Sequence, residues 1–335
     1  MKAVGYRANL PIDNDQALVD LDLPVPVPEK RDLLVRVQAV SVNPRDVKSR
    51  RTLPASADSP RIIGYDASGI VERTGPDATL FKPGDEVFYA GVLDRPGSNA
   101  EYQLVDERIV GRKPRTLDHA AAAAIPLVAL TAGEMLFDRL CIARHATPPK
   151  SLFILGGAGG VPSLAIQLAR HAGLTVIASA SRPESEKWVR ALGAQYVVDH
   201  SQPLDTQIRQ LKLGLVDYIF STHTSARAWG ELAHVIAPQG RFGLIDEPEP
   251  LDLRPYKFQC VSIHWEAMFT RPMQNTPDMI RQHEILDEVA GLIDGGAIRA
   301  VATQNLGAIN AANLRKAHAL IETGSTIGKI VLAGF

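Results

Sequence analysis

Residues 151–163, SLFILGGAGGVPS, set a short apolar run directly ahead of a glycine-rich turn and a helix-like stretch. An unbroken apolar run of this length is how a buried parallel strand reads, because both its faces are covered. Past the turn, Val161, Leu164 and Leu168 fall at helical spacing, and Gly173 follows as a stop. Strand, glycine loop and helix in that order open a dinucleotide-binding sheet. In the pattern G-x-G-x-x-G, Gly157 makes the tight turn and Gly159 lets backbone approach a pyrophosphate. Gly160 and Val161 begin the helix, and Pro162 stands where the third glycine belongs. Proline is tolerated in a first helical turn, yet it removes one N–H from an anion-binding helix start. A glycine-rich turn with no ligand is the competing reading.

The segments that follow repeat the alternation. TVIASAS (175–181), QYVVDH (195–200), VDYIFST (216–222), GRFGLID (240–246) and CVSIHWE (260–266) read as strands. ESEKWVRAL (184–192) and SARAWGELAHVIA (225–237) read as helices between them. With the first strand this makes about six, a full doubly wound parallel sheet. The chain before residue 125 has another texture: LLVRVQAVSV (33–42) alternates apolar and polar residues, and GIVERTG (69–75) and KPGDEVFYAG (82–91) are strands bounded by turns. The tail returns to mixed texture, with helices near 277–294 and 310–323, the β-like IRAVATQ (298–304), and GKIVLAGF. The expected fold is therefore α/β, a Rossmann sheet at 127–294 inside a β-rich domain built from 1–126 and 295–335.

Composition removes several classes of function. The formal net charge is −1, so there is no basic surplus for a nucleic-acid backbone. Two cysteines, Cys141 and Cys260, are too few for a disulfide scaffold; they read as small buried hydrophobes in a reducing cytoplasm. The N-terminal residues show no apolar signal segment, and Pro126 breaks the most apolar stretch, 120–130, into a buried, interrupted helix. No membrane role is expected. His119, His145, His171 and His318 read as surface residues, and no Ser–His pair stands out for nucleophilic catalysis.

The second strand tests cofactor choice. NAD-specific sheets carry an acid at its end, on the ribose 2′-hydroxyl. Here the strand ends Ala180-Ser181-Arg182, and Lys187 lies one turn further on. Ser181, Arg182 and Lys187 suit a 2′-phosphate, which favours NADP(H). Ser181 to Glu184 also has capping-box spacing, with Pro183 in the first turn. Capping and phosphate binding use different groups, so both hold open. Ser221 and His223 close the fourth strand and Ile245 and Asp246 the fifth, at the carboxyl edge where ligands bind.

These residues resemble the medium-chain dehydrogenase/reductase superfamily over nearly the whole chain. GYDASGIVERTG (64–75) resembles its G-x-E-x-x-G-x-V segment and FKPGDEVF (81–88) its K-x-G-D-x-V turn. SVNPRD (41–46), LTAGEML (130–136), GGAGGV and GKIVL follow in the family's order. DRPGSNAEYQLVDERIVG (94–111), ASRPES (180–185), APQGRFGLID and SIHWEAMFTR (262–271) resemble a bacterial branch called zinc-type alcohol dehydrogenase-like or quinone oxidoreductase-like. The resemblance implies a GroES-like catalytic domain around the Rossmann domain. In zinc-dependent relatives a Cys takes the place of Asn43, a His that of Tyr65 and a Cys that of Leu127; of the residues here only Asp66 is a ligand type. Residues 90–115 hold no cysteine for a structural zinc. No metal is therefore expected.

Without a metal, the charge that develops on the acceptor must be met by hydrogen-bond donors or spread by the acceptor itself; quinones and α,β-unsaturated carbonyls do the latter, which favours them over simple carbonyls. The resemblance puts Asn43, Tyr65 and Thr131 at the reacting end, with Gly133 where relatives carry an aromatic. His264, Trp265 and Phe269 are expected at the substrate pocket or a dimer seam, CVSIHWE being the edge strand of a homodimer. The expected function is an NADPH-dependent, zinc-independent reductase of quinones or enones. A catalytically weak NADPH-binding protein is the alternative, and a zinc alcohol dehydrogenase the third reading.

Overall fold

Both ends of the chain supply strands to one sheet. In the computed structural model, which describes residues 1–335, the first unit comprises Met1–Leu130 and Phe269–Phe335. It begins with β1 (Lys2–Tyr6), β2 (Val19–Asp22), β3 (Asp32–Val42), helix α1 (Pro44–Thr52), β4 (Arg61–Ile62), β5 (Asp66–Thr74), β6 (Glu86–Tyr89), β7 (Tyr102–Asp106) and β8 (Val110–Arg112). Helices α2 (His119–Ala123) and α3 (Pro126–Gly133) follow, and Pro126 is the first residue of the second, where a missing N–H costs nothing. The helical stretch His119–Arg139 is apolar and long enough to span a membrane, but 83% of that window is buried inside the protein.

The second unit, Thr131–Met268, is the expected parallel sheet. Its elements are β9 (Ser151–Leu155), α4 (Gly160–His171), β10 (Thr175–Ser179), α5 (Pro183–Ala191), β11 (Tyr196–Val198), α6 (Leu204–Gln210), β12 (Val216–Ser221), α7 (Ala226–Leu232), β13 (Ile236–Leu244) and β14 (Ser262–Trp265). The strand order is β11-β10-β9-β12-β13-β14, every pair parallel. That is 3-2-1-4-5-6 in the unit's own count, the doubly wound dinucleotide-binding order, which reverses beside β9. Phe153, Ile177, Ile219 and Phe242 fill its core. Helix α7 ends at Leu232, short of the expected 237, because Ile236 already pairs with Val216 as strand.

The chain then re-enters the first unit through α8 (Thr270–Gln274), α9 (Arg281–Asp294), β15 (Ala302–Asn305), α10 (Ala311–Glu322) and β16 (Lys329–Ala333). The larger sheet runs β15-β16-β3-β5-β6-β8, with β7 also on β3. Ile330 faces Val42 and Val331 faces Ser41 in the antiparallel β16–β3 pair. The return falls at 268/269 rather than at 294/295, since α9 packs on β8. His283 Nδ1 lies 2.6 Å from the Val110 carbonyl, and Arg112 pairs with Asp287 at 3.0 Å.

Three expectations about side chains are corrected. Cys141 and Cys260 are exposed, because both sit in left-handed turns (φ 46° and 51°) at the surface. His318 is fully buried, with no partner on either ring nitrogen. Burial first, and Arg50 second, push its pKa down to about 3. His119 is only partly exposed: its Nδ1 is 2.8 Å from Ser68 Oγ and its Nε2 3.3 Å from Glu86 Oε1. This is a Ser–His–Glu string, but Ser68 is fully buried and donates to the Val87 carbonyl, so it is no nucleophile.

The seat of α9 is testable at Gly111. A Cβ there would stand 2.4 Å from Leu286 Cβ and 2.8 Å from the Phe88 ring. Gly111→Ala is expected to cost about 1–3 kcal/mol, the usual penalty of overpacking. Urea unfolding measures it, and an unchanged midpoint would refute the packing.

Candidate active site

In the second unit the glycine loop divides its work among its glycines. Gly156, one residue earlier than the motif suggests, makes the turn with φ +88°, and a Cβ on it would meet Thr222 Oγ1 at 2.4 Å. Gly157 donates to the Ser179 carbonyl at 3.0 Å, and a Cβ there would come within 2.7 Å of that same oxygen. Both are demanded by the protein's own packing. Gly159 is different. It caps α4 at φ −68°, open to any residue, and a Cβ would find nothing nearer than Pro162 Cδ at 3.7 Å. Space in front of a helix start, with bare amides behind it, fits a pyrophosphate. The Pro162 ring is buried in the first turn of α4, and Val161 is partly exposed.

The strand ends supply polar groups around this loop. Ser179 Oγ accepts from Gly156 N–H at 2.9 Å, and His200 Nδ1 lies 3.3 Å away. Burial lowers the His200 pKa. Ser181, Arg182 and Lys187 are exposed, and Arg182 Nε lies 3.6 Å from Glu184 Oε1. The cap of α5 is Arg182, not Ser181: Pro183 is the first helical residue, and Ser185 Oγ accepts from Arg182 N–H at 3.3 Å. At the other strand ends, Asp246 accepts from Thr224 N–H at 2.5 Å and from Thr224 Oγ at 2.9 Å, which leaves Thr224 Oγ to accept from the Ser221 hydroxyl 2.8 Å away. Asp246 thus ties β13 to β12. His223 is exposed and Ile245 half-buried. Thr131 is buried. His264 is partly buried with no partner on Nε2, and burial followed by Arg241 and Arg139 lowers its pKa.

The first unit holds a buried polar cluster. Asp66, the first residue of β5, accepts from Ser41 Oγ at 2.6 Å, Asn43 Nδ2 at 2.9 Å, Lys329 Nζ at 3.1 Å and Leu127 N–H at 2.7 Å. Lys329 also donates to the Val42 carbonyl at 3.1 Å and to Asn43 Oδ1. Asn43 is thereby engaged at both ends of its amide. Its backbone N–H donates to Asp46 Oδ2 at 2.6 Å, which caps α1. Tyr65 is buried, shares a 2.5 Å hydrogen bond with Ser49 Oγ and meets the Phe269 ring edge-on at 5.1 Å. Its hydroxyl pKa is raised, mainly by burial and next by Asp46.

A zinc ion does not fit these residues. No three His, Cys, Asp or Glu side chains gather to hold a metal. Asp66, the ligand-type residue, spends its oxygens on four donors, one of them an ammonium that would repel a dication. Lys329, Ser41 and Ser49 were not singled out in the sequence as site residues. Lys329 had only the ending GKIVL to mark it, and its contact with Asp66 spans 263 residues.

The fold and these groups define a two-unit oxidoreductase with a Rossmann sheet and a GroES-like domain. Residues 29–115 match the family described as alcohol dehydrogenase GroES-like domain, and residues 192–332 the family described as zinc-binding dehydrogenase. A zinc-type alcohol dehydrogenase-like protein of Staphylococcus aureus is 40% identical over 335 residues, 99% of each chain. The crystal structure of a Rhizobium etli protein described as zinc-dependent alcohol dehydrogenase superposes with a TM-score of 0.97 at 54% identity, covering 100% of this chain and 98% of that one. The Arabidopsis thaliana NADPH-dependent alkenal/one oxidoreductase is 36% identical over 198 residues, 56% of this chain and 50% of its own. The chain belongs to the medium-chain dehydrogenase/reductase superfamily, a nicotinamide-dependent family, with the zinc-type alcohol dehydrogenase-like proteins.

The cluster sets a pH dependence. Burial pushes the Asp46 carboxyl up from 3.8 to about 7, against the pull of Asn43 N–H and Lys329 and with a push from Asp66. A raised carboxyl holds its proton longer folded than unfolded. Its contribution is complete below the unfolded value and fades as pH rises through the folded one. The change is on the order of 4 kcal/mol. Asp46→Asn is expected to flatten the stability profile between pH 4 and 8 and to gain on the parent at pH 8. Denaturant midpoints at pH 5 and 8 measure this, and an unaltered slope would mean that Asp46 stays charged in the fold.

Proposed function

We propose that the protein is an NADPH-dependent, zinc-independent reductase that delivers hydride to a quinone or an α,β-unsaturated carbonyl. One observation carries the reading. Where zinc-bearing relatives place ligands, this chain has Asn43, Tyr65 and Leu127, and the one carboxylate there is bonded to a buried ammonium. An enzyme so built does not polarise a simple carbonyl with a metal, which favours an acceptor that delocalises the charge it gains, helped by hydrogen-bond donors. The half-length likeness to an alkenal/one oxidoreductase points the same way.

NADPH supplies the hydride when bound. The amides at the start of α4, in front of Gly159, hold its pyrophosphate. Arg182, Ser181 and Lys187 meet the 2′-phosphate, with Arg182 the group best shaped for it. His223 and Ile245 form the carboxyl edge for the rest of the cofactor, and Ser221 and Asp246, linked through Thr224, hold that edge in place. Tyr65, held by Ser49, is the donor for the oxygen that gains charge. Asn43 holds Lys329 against Asp66. The unit of action is a homodimer joined through β14, an edge strand whose Trp265 is 63% exposed. Light scattering showing a monomer would remove that part.

The test is NADPH oxidation with a panel of quinones and enones, with and without a zinc chelator. Turnover that ignores the chelator and outpaces alcohol oxidation is expected. Metal-dependent alcohol oxidation would overturn the reading, and tight binding without turnover would favour a cofactor-binding protein. In the same assay Arg182→Ala should weaken NADPH binding about tenfold or more, as one charged hydrogen bond implies. NADH binding should hold; an equal loss for both cofactors would take Arg182 out of the phosphate site.

A further inference from the structure

We propose that Trp188 is a positioning residue for the cofactor, acting through Ser163 to aim the backbone of the glycine loop. The inference rests on the nicotinamide reading above and names residues that neither the motif nor that reading uses.

The Ser163 hydroxyl donates to the Gly159 carbonyl at 2.7 Å, the same oxygen that takes Ser163 N–H at 3.0 Å. Trp188 Nε1–H donates to Ser163 Oγ at 2.8 Å. An indole N–H can only donate, so this bond leaves the serine its proton to give. The three groups form a one-way string, from Trp188 through Ser163 to the Gly159 carbonyl. Ser163 is fully buried, which makes a stray orientation of its hydroxyl costly.

The far end of the string bears on the ligand. The peptide joining Gly159 to Gly160 is planar and trans, so its N–H points opposite to its C=O. Drawing the Gly159 carbonyl into the first turn of α4 turns the Gly160 N–H outward, ahead of the helix. The space that a Cβ on Gly159 would leave unfilled lies at this loop. Pro162 gives no N–H of its own, so the direction of the remaining amides matters more here than in a loop with three glycines. Trp188 stands on α5, which opens at Arg182 and Pro183, where the 2′-phosphate is read. One side chain therefore braces the pyrophosphate loop from the helix that begins at the phosphate-reading residues.

The two ends make different demands. A brace on the pyrophosphate amides serves NADPH and NADH alike, whereas Arg182 serves NADPH alone. The experiment is equilibrium titration of the full-length protein with NADPH and with NADH, followed by the cofactor's own fluorescence. Trp188→Phe is expected to raise both Kd values by the same factor, roughly fivefold, the worth of one hydrogen bond. Ser163→Ala, which removes one oxygen and leaves the helix intact, should raise both at least as much. On the Ser163→Ala background, Trp188→Phe should cost nothing further, because the two act as one unit. Wild-type affinities in the single variants, losses that add in the double variant, or a Trp188→Phe loss confined to NADPH would each overturn the proposal alone. Failure of the parent protein to bind either cofactor would bring down the nicotinamide reading and this inference with it.

Discussion

The ion pair of Asp66 and Lys329 holds the first unit to its plan. Four separate stretches of chain end on one carboxylate: the end of β3 through Ser41 and Asn43, the start of β5, the start of α3 through Leu127 N–H, and the start of β16 through Lys329. A lone buried charge is costly, and removing one partner of such a pair costs about 3–5 kcal/mol. Without the returning tail Asp66 would keep three neutral donors and lose its counter-charge. The ion pair thus adds to the β16–β3 ladder and to buried Ile330 and Leu332 in tying the last strand, after a whole second unit, into the first unit's sheet.

The same rule of saturation shows which groups of the second unit are fixed by its own packing. Gly156 and Gly157 are glycines because neighbouring protein atoms exclude a Cβ. Asp246 is consumed in joining β12 to β13. Gly159 meets no such demand, and the exposed Ser181, Arg182 and Lys187 are held clear of the core. Gly159 and these three side chains lie at the carboxyl edge of the sheet, the edge at which doubly wound sheets bind ligands.

Much of the fold was legible in local pattern. Unbroken apolar runs separated by helical spacing became the six parallel strands, and the alternation of residues 33–42 became β3. The turn within the glycine loop slipped by one residue, since a motif counts glycines while φ depends on the register of β9. The α5 cap slipped likewise, from Ser181 to Arg182. Contacts distant in sequence were out of reach. Nothing in GKIVL announces a bond to Asp66 across 263 residues, and nothing in HALIE tells that His318 is fully buried. Ser68 and His119, 51 residues apart, meet only because α2 packs on the strand that carries Ser68.

Asp46 and Asp66 show how far neighbours decide the behaviour of one residue type. Asp66 is reached by four donors, an ammonium among them. Asp46, equally buried, receives one backbone N–H on Oδ2 and none on Oδ1. Its proton accordingly leaves only near pH 7. Three residues along the same helix lies Ser49, the partner of Tyr65, so Asp46 and Ser49 stand on neighbouring positions of one face. Charge on Asp46 makes the Tyr65 phenol harder to ionise. Raising the pH through neutrality therefore does two things at once in this unit: it withdraws stability by charging a buried carboxyl, and it makes the Tyr65 hydroxyl a weaker acid.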